Sequence, residues 1–266
     1  MSNNLEKTFI DLGYTKEEYR HIRSYGLLLL YSDTKIKENL NDGILFFSQL
    51  GFAYEQILKF YKYAPNILKY SYDELYNQIN KLIILGYNQD EILKMIKVDS
   101  RIITLSDDDI NNRFYYLNRF GYTNEDILKI GKRTPQIFTE NVKNLNDKFY
   151  FLLEHGYKKE DIVKMTNKLS SIFSYSLDNL QNKIDFFDFI NAHELPVIKP
   201  NILMQSSKVS YARYYYFIDK NINFEVNNYR KLFISENQFK RAYGISTEEL
   251  IKIYESTLNS KQKSIN

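Results

Sequence analysis

LGYNQDEILKMIKVDSRIITLSDDDINNRFYYLNR, from Leu85 to Arg119, is one period of this chain, and it reads as two helices joined by a short apolar plug. Its opening returns four more times: LGYTKEEY from Leu12, LGFAYEQI from Leu50, FGYTNEDI from Phe120 and HGYKKEDI from His155. The glycines Gly13, Gly51, Gly86, Gly121 and Gly156 are spaced 38, 35, 35 and 35 residues apart. A fixed period of this length marks a solenoid, in which each unit buries its apolar face only against its neighbours. Such a protein presents one long surface, and binding along that surface is the usual use of it.

Each period carries its own start and stop signals. Thr15 is followed three residues later by Glu18, Asn88 by Glu91 and Thr123 by Asp126, a pattern close to the capping box that satisfies orphan N–H groups. Apolar columns follow: Tyr19, Ile57, Ile92, Ile127 and Ile162, then, three residues on, Ile22, Phe60, Met95, Ile130 and Met165. That i, i+3 spacing gives the first helix one buried stripe. The helix should stop at Pro65, Ser100, Pro135 and Ser170, where proline, when present, removes a donor and clashes with the preceding turn. The pairs Ile67-Leu68, Ile102-Ile103, Ile137-Phe138 and Ile172-Phe173 then read as a tight or 3₁₀ turn that plugs the core.

Ser71, Ser106, Asn141 and Ser176 are the N-caps expected for the second helix. Its stripe runs Leu75, Ile79, Leu82, Leu85 in one unit and Ile110, Phe114, Leu117, Phe120 in the next. Leu145, Phe149, Leu152 and Leu180, Ile184, Phe187 continue it, and Leu40, Ile44, Phe47, Leu50 precede it. The glycine after each second helix suits a left-handed C′ position. After Phe187 the repeat weakens, although Pro200-Asn201-Ile202-Leu203 copies Pro65-Asn66-Ile67-Leu68 and Ser206 matches Ser71. Asn191, one period after Gly156, is only nine residues from Pro200, so the first helix of that unit is shortened. GISTEEL at Gly244 copies GYTKEEY at Gly13 and should begin a capping helix. The expected fold is therefore all-α: a right- or left-handed superhelical solenoid of about six two-helix repeats of about 35 residues. It should form a single elongated domain over 1–266, regular over 5–190, with a degenerate repeat and helical cap over 191–266.

Composition narrows the function. With 266 residues, 44% of them hydrophobic, the chain can bury a continuous core. It has no cysteine, which excludes disulfides and thiolate metal sites and points to a reducing compartment. No apolar run approaches the length needed to span a bilayer, and Glu6, Asp11, Glu17 and Glu18 argue against a transit peptide, so a cytoplasmic location is expected. His21, His155 and His193 are scattered without metal-ligand spacing, and His155 falls in the packing column of Leu85 and Phe120. Asp107-Asp108-Asp109 follows Ser106 at a helix start, where acids serve the cap and the dipole rather than a metal. Neither a phosphate-binding glycine loop nor a nucleophile elbow occurs, so the protein is expected to be no enzyme and to need no cofactor.

The net charge is only +3, but its distribution is uneven. Residues 1–200 hold 26 basic and 27 acidic side chains, and residues 201–266 hold 10 and 6. Arg213, Arg230, Lys231 and Arg241 belong to that C-terminal excess, beside the run Tyr214-Tyr215-Tyr216-Phe217. Cations with interleaved rings suit a nucleic-acid groove. The alternative is that Tyr211, Tyr214 and Phe217, at helical spacing, are core. Two lysine columns recur in the first helices. Lys59, Lys94, Lys129, Lys164 and Lys252 each stand four residues after an acid (Glu55, Asp90, Glu125, Glu160 and Glu248), which makes them ordinary i, i+4 pairs. Lys62, Lys97 and Lys132, with Arg133 and Lys168 one position further on, have no such built-in partner. Arg113, Lys148 and Lys183 recur at 35 residues on the second helix. These unpaired columns are the candidate phosphate contacts.

The unit carried by GYNQDEILKMI with RII, GYTNEDILKIGKRTPQIF and FAYEQILKFYKYAPNIL resembles the repeat of the mitochondrial transcription termination factor (mTERF) family over roughly residues 5–210. That resemblance implies a curved all-α solenoid that binds DNA or RNA in transcription, ribosome or RNA handling. DILKI and DIVKM are also similar to TALE-like repeats, but their paired glycine and base-reading residues are missing. The expected partner is nucleic acid bound by a monomer, with no membrane. The alternative is a protein-interaction scaffold, which the near-neutral charge would suit.

Overall fold

The computed structural model describes residues 4–222 and 226–263. All regular structure among the described residues is helical. The chain forms two compact units, residues 1–146 and 147–266. The first contains α1 (Asn4–Asp11), α2 (Lys16–Arg23), α3 (Asp33–Gln49), α4 (Tyr54–Tyr63), α5 (Tyr72–Leu85), α6 (Gln89–Val98), α7 (Asp107–Arg119), α8 (Asn124–Arg133) and the short α9 (Gln136–Thr139). The helix α10 (Val142–Glu154) carries the chain into the second unit. There follow α11 (Lys159–Lys168), α12 (Leu177–Phe189), α13 (Leu195–Ile198), α14 (Ser207–Asp219), α15 (Glu236–Tyr243) and α16 (Thr247–Lys263). No helix among the described residues is long and apolar enough to cross a membrane.

The repeat read from the sequence is the repeat of the structure. In unit one, α2 packs on α4, α3 on α5 and α6 on α8; in unit two, α11 packs on α13, α12 on α14 and α14 on α16. Three of the first helices begin where the caps foretold: Glu18 N donates to Thr15 Oγ1 at 3.1 Å, and Thr15 N donates back to Glu18 Oε2 at 2.9 Å. Asn88 with Glu91 and Thr123 with Asp126 repeat that box. Left-handed backbone separates the repeats, with φ of 101° at Gly13, 85° at Gly51, 115° at Gly86, 98° at Gly121 and 85° at Gly156. Where the repeat degenerates, asparagine replaces glycine, with φ of 51° at Asn191 and 52° at Asn221, since its short amide tolerates that region best after glycine.

The breaks after the first helices do not require proline. Ala64 and Thr134, before Pro65 and Pro135, have φ near those of Leu169 before Ser170 (−134°, −136° and −132°). The plug that follows is 3₁₀ at Pro65–Lys69, Ser100–Thr104, Ser170–Ser174 and Pro200–Met204, and one α-turn at α9. Its apolar pair is buried in every case, from Ile67-Leu68 to Ile202-Leu203. The stripe residues Ile92, Ile127, Ile162, Leu82, Leu117 and Leu152 are likewise buried at equivalent places. The shortened first helix of the degenerate repeat is the one-turn α13, and the echo at Gly244 opens α16.

Candidate nucleic-acid interface

Three of the candidate cations are inside the protein. Arg113, Lys148 and Lys183 are each less than a tenth exposed. Arg113 Nη2 donates to the carbonyls of Phe138, at 3.3 Å, and Glu140. Lys148 Nζ donates to Phe173 O at 2.5 Å and Lys183 Nζ to Gln205 O at 2.8 Å. All three cap the carbonyl end of the plug that follows, where helical C=O groups lack intrahelical N–H donors and a cation complements the dipole. Burial lowers the pKa of Arg113 and of Lys183, and the carbonyl bonds offset that desolvation. The expectation that this column faces solvent is therefore corrected. The signal was in the sequence: Arg113, Lys148 and Lys183 stand three residues after Ile110, Leu145 and Leu180, on the apolar stripe itself.

Arg213 is a fourth interior cation, only 2% exposed. Its Nη1 donates to Leu232 O at 2.9 Å and Ile234 O at 2.7 Å, and its Nη2 to Thr247 Oγ1 at 2.9 Å and Glu236 Oε2 at 3.3 Å. It ties α14 to the 3₁₀ segment Val226–Phe233, to α15 and to the start of α16. Arg230, Lys231 and Arg241 are exposed. The neighbouring aromatic run is divided. Phe217 is core, whereas Tyr211, Tyr214 and Tyr215 are partly exposed and meet Phe189, with Tyr254 stacked on Tyr211 and Tyr215.

The column without built-in partners also differs from its reading. Lys62 Nζ lies 2.6 Å from Glu18 Oε1 and Lys132 Nζ 2.7 Å from Glu91 Oε1. In both, the lysine of one first helix reaches the capping-box glutamate of the preceding one, 44 and 41 residues earlier. The hydrogen bond from Lys62, then that of the Thr15 N–H, holds the Glu18 carboxyl down to about 2. Lys132, then the Asn88 N–H, lowers Glu91 in the same way. No i, i+4 rule could reveal a pair that closes only when repeats stack. The i, i+4 pair itself forms at Lys129–Glu125, 2.7 Å, and Lys252–Glu248, 2.8 Å.

Lys97 departs from this scheme. The position that holds Glu18 and Glu91 in other repeats holds Gln56 in the repeat before Lys97. Gln56 Oε1 still caps α4 by accepting from Ala53 N at 3.1 Å, but it carries no charge. Lys97 Nζ instead lies over the Phe52 ring, 5.6 Å from its centroid. Lys97, Lys132, Arg133 and Lys168 are exposed, and Lys62 is half-buried. Unit one thus brings Lys62, Lys97, Lys132 and Arg133 to the last turns of α4, α6 and α8, and unit two places Lys168 at the last residue of α11.

His155 is a packing residue as read. Its ring lies 4.1 Å from that of Phe151, and its Nδ1 is 2.8 Å from Phe151 O. Asp109 closes the Ser106 capping box and Asp107 pairs with Lys81 at 3.1 Å, so the acidic run serves the start of α7.

No curated protein matches the chain. The mTERF family model matches residues 1–156, more than half of the sequence, in the same region where the glycine-punctuated repeat is most regular. The chain belongs to the mTERF family.

Proposed function

We propose that this protein is a non-enzymatic nucleic-acid-binding helical-repeat protein that acts in transcription regulation or termination, or in RNA handling. Membership of the mTERF family supports the partner class. The observation that carries the reading for this chain is the return of cations to the last turn of successive first helices: Lys62, Lys97, then Lys132 with Arg133. Repeat spacing places positive charge at regular intervals, which suits a phosphate backbone. Because Lys62 and Lys132 already hold carboxylates, a phosphate there exchanges one anion for another, and the affinity gained per lysine is smaller than at a solvated one.

Fluorescence anisotropy with single- and double-stranded DNA and RNA at several salt concentrations tests this. Binding should weaken with salt, and neutralising Lys97, Arg133 or Lys168 should lower the slope of log affinity against log salt by about one per lost contact, alike for many sequences. Absence of binding to all four probes at low salt would refute the proposal. A protein partner is the second reading, favoured by exposed apolar side chains such as Ile84, 85% exposed, and Leu30, 79% exposed.

A further inference from the structure

We infer that the cleft between α4 and α6 is a subsite for one unit of single-stranded nucleic acid, with the base on Tyr63 and the adjoining phosphate on Lys97 and Lys59. The inference rests on the proposed nucleic-acid binding and deepens it. Three observations meet at this cleft. It is lined by Gln56, Lys59 and Tyr63 of α4, by Lys97 and Val98 of α6, and by Asp99. It lies where the cross-repeat ion pair is missing, because Gln56 replaces the glutamate that engages the lysine in the flanking repeats. Among the described residues no carboxylate pairs with Lys97, which lies over the Phe52 ring.

Tyr63 completes the site. It is 66% exposed at the last residue of α4, while the equivalent positions in the following repeats hold Val98, Arg133 and Lys168. An aromatic ring left in water at the mouth of a cleft that also holds Lys97 offers a stacking surface that every base can use. Lys62 Nζ approaches the same ring, 6.0 Å from its centroid, from its pair with Glu18. The one acid in the lining does not oppose a phosphate freely. Asp99 accepts from Arg101 Nε at 2.8 Å and Nη2 at 2.7 Å, and from the Thr139 hydroxyl. A base paired within a duplex cannot lay its face on Tyr63, so the cleft selects unpaired strands.

The test compares the full chain with Gln56→Glu, Tyr63→Ala and Tyr63→Phe, using oligo(dT), oligo(U) and a generic DNA duplex in anisotropy titrations over salt. Gln56→Glu installs the carboxylate that the flanking repeats already carry and keeps the helix cap, so it should fold with an unchanged or higher Tm. It should weaken single-strand binding several-fold and lower the salt slope by about one. Tyr63→Ala should weaken single-strand binding by about tenfold and duplex binding by less than about twofold, and Tyr63→Phe should restore the first. If the wild type binds and these variants bind like it, the cleft is not a contact and the inference falls while nucleic-acid binding stands. Equal losses on duplex and single strand would overturn the stacking role. A wild type that binds no probe would remove the proposed function and this subsite with it.

Discussion

Replacing Gly131 by alanine should destabilise the protein, against the ordinary rule for helices. Gly131 lies in α8, where glycine in an exposed interior position is about 1 kcal/mol worse than alanine. Here the added Cβ would stand 2.4 Å from Phe138 Cε2 and 2.4 Å from the Tyr87 hydroxyl. Ordinary contact begins near 3.4 Å, so both groups must retreat by about 1 Å inside a close-packed core. Overpacking of this kind costs about 1–3 kcal/mol. Two simultaneous contacts favour the upper half of that range, which leaves a net loss of about 1–2 kcal/mol after the helix preference is subtracted. For a chain of this size Tm should fall by about 2–8 °C in thermal unfolding followed by circular dichroism. Tyr87 supplies the control. Its hydroxyl is buried without a hydrogen-bond partner, so Tyr87→Phe should be neutral or stabilising by about 1 kcal/mol. In the double variant one of the two contacts disappears, and the cycle should return a coupling of about 0.5–1 kcal/mol. A Gly131→Ala protein that melts higher than wild type would refute the close approach and the stacking register of α6 to α8 behind it.

Other expectations follow from the same geometry. Leu117→Ala, at a fully buried stripe position of α7, should cost about 2–5 kcal/mol in chemical denaturation; a loss below half a kilocalorie would put the helical register in doubt. Arg213→Met leaves the carbonyls of Leu232 and Ile234 without their donor and should destabilise the second unit by about 2–5 kcal/mol, with hydrogen exchange quickening in α15 and α16; a fully stable variant would mean that the arginine is a surface group after all. Glu18 has a folded pKa of about 2 against an ordinary 4.5, so its pairing stabilises the protein above pH 4.5 and is lost as pH falls toward 2. Carboxyl NMR titration should place its midpoint near 2, and the wild type should lose its advantage over Glu18→Gln across that window; a midpoint near 4.5 would show that the Lys62 pair does not persist in solution.

Much of the architecture was legible because it depends on local periodicity. The glycine spacing, the caps at Thr15, Ser71, Asn88, Ser106 and Thr123, the breaks before Pro65 and Ser170 and the buried pairs of the plug are each fixed by residues within a few positions of one another. Even the degenerate end kept its mark, in Pro200 and in Asn191 standing for a glycine.

Charge was legible only in kind. The sequence by itself determined an all-α repeat, its boundaries, its core stripe and the places where cations recur. Tertiary structure decided what those cations do. Arg113, Lys148 and Lys183 turn inward because the next plug presents bare carbonyls within their reach, and those carbonyls belong to another repeat. Lys62 and Lys132 are neutralised by glutamates 44 and 41 residues away, and Lys97 is not, because one glutamine stands where a glutamate would. Helical periodicity is a property of neighbours along the chain, whereas the sign of the field at a lysine is set by whatever the stacked repeat brings within a few ångströms.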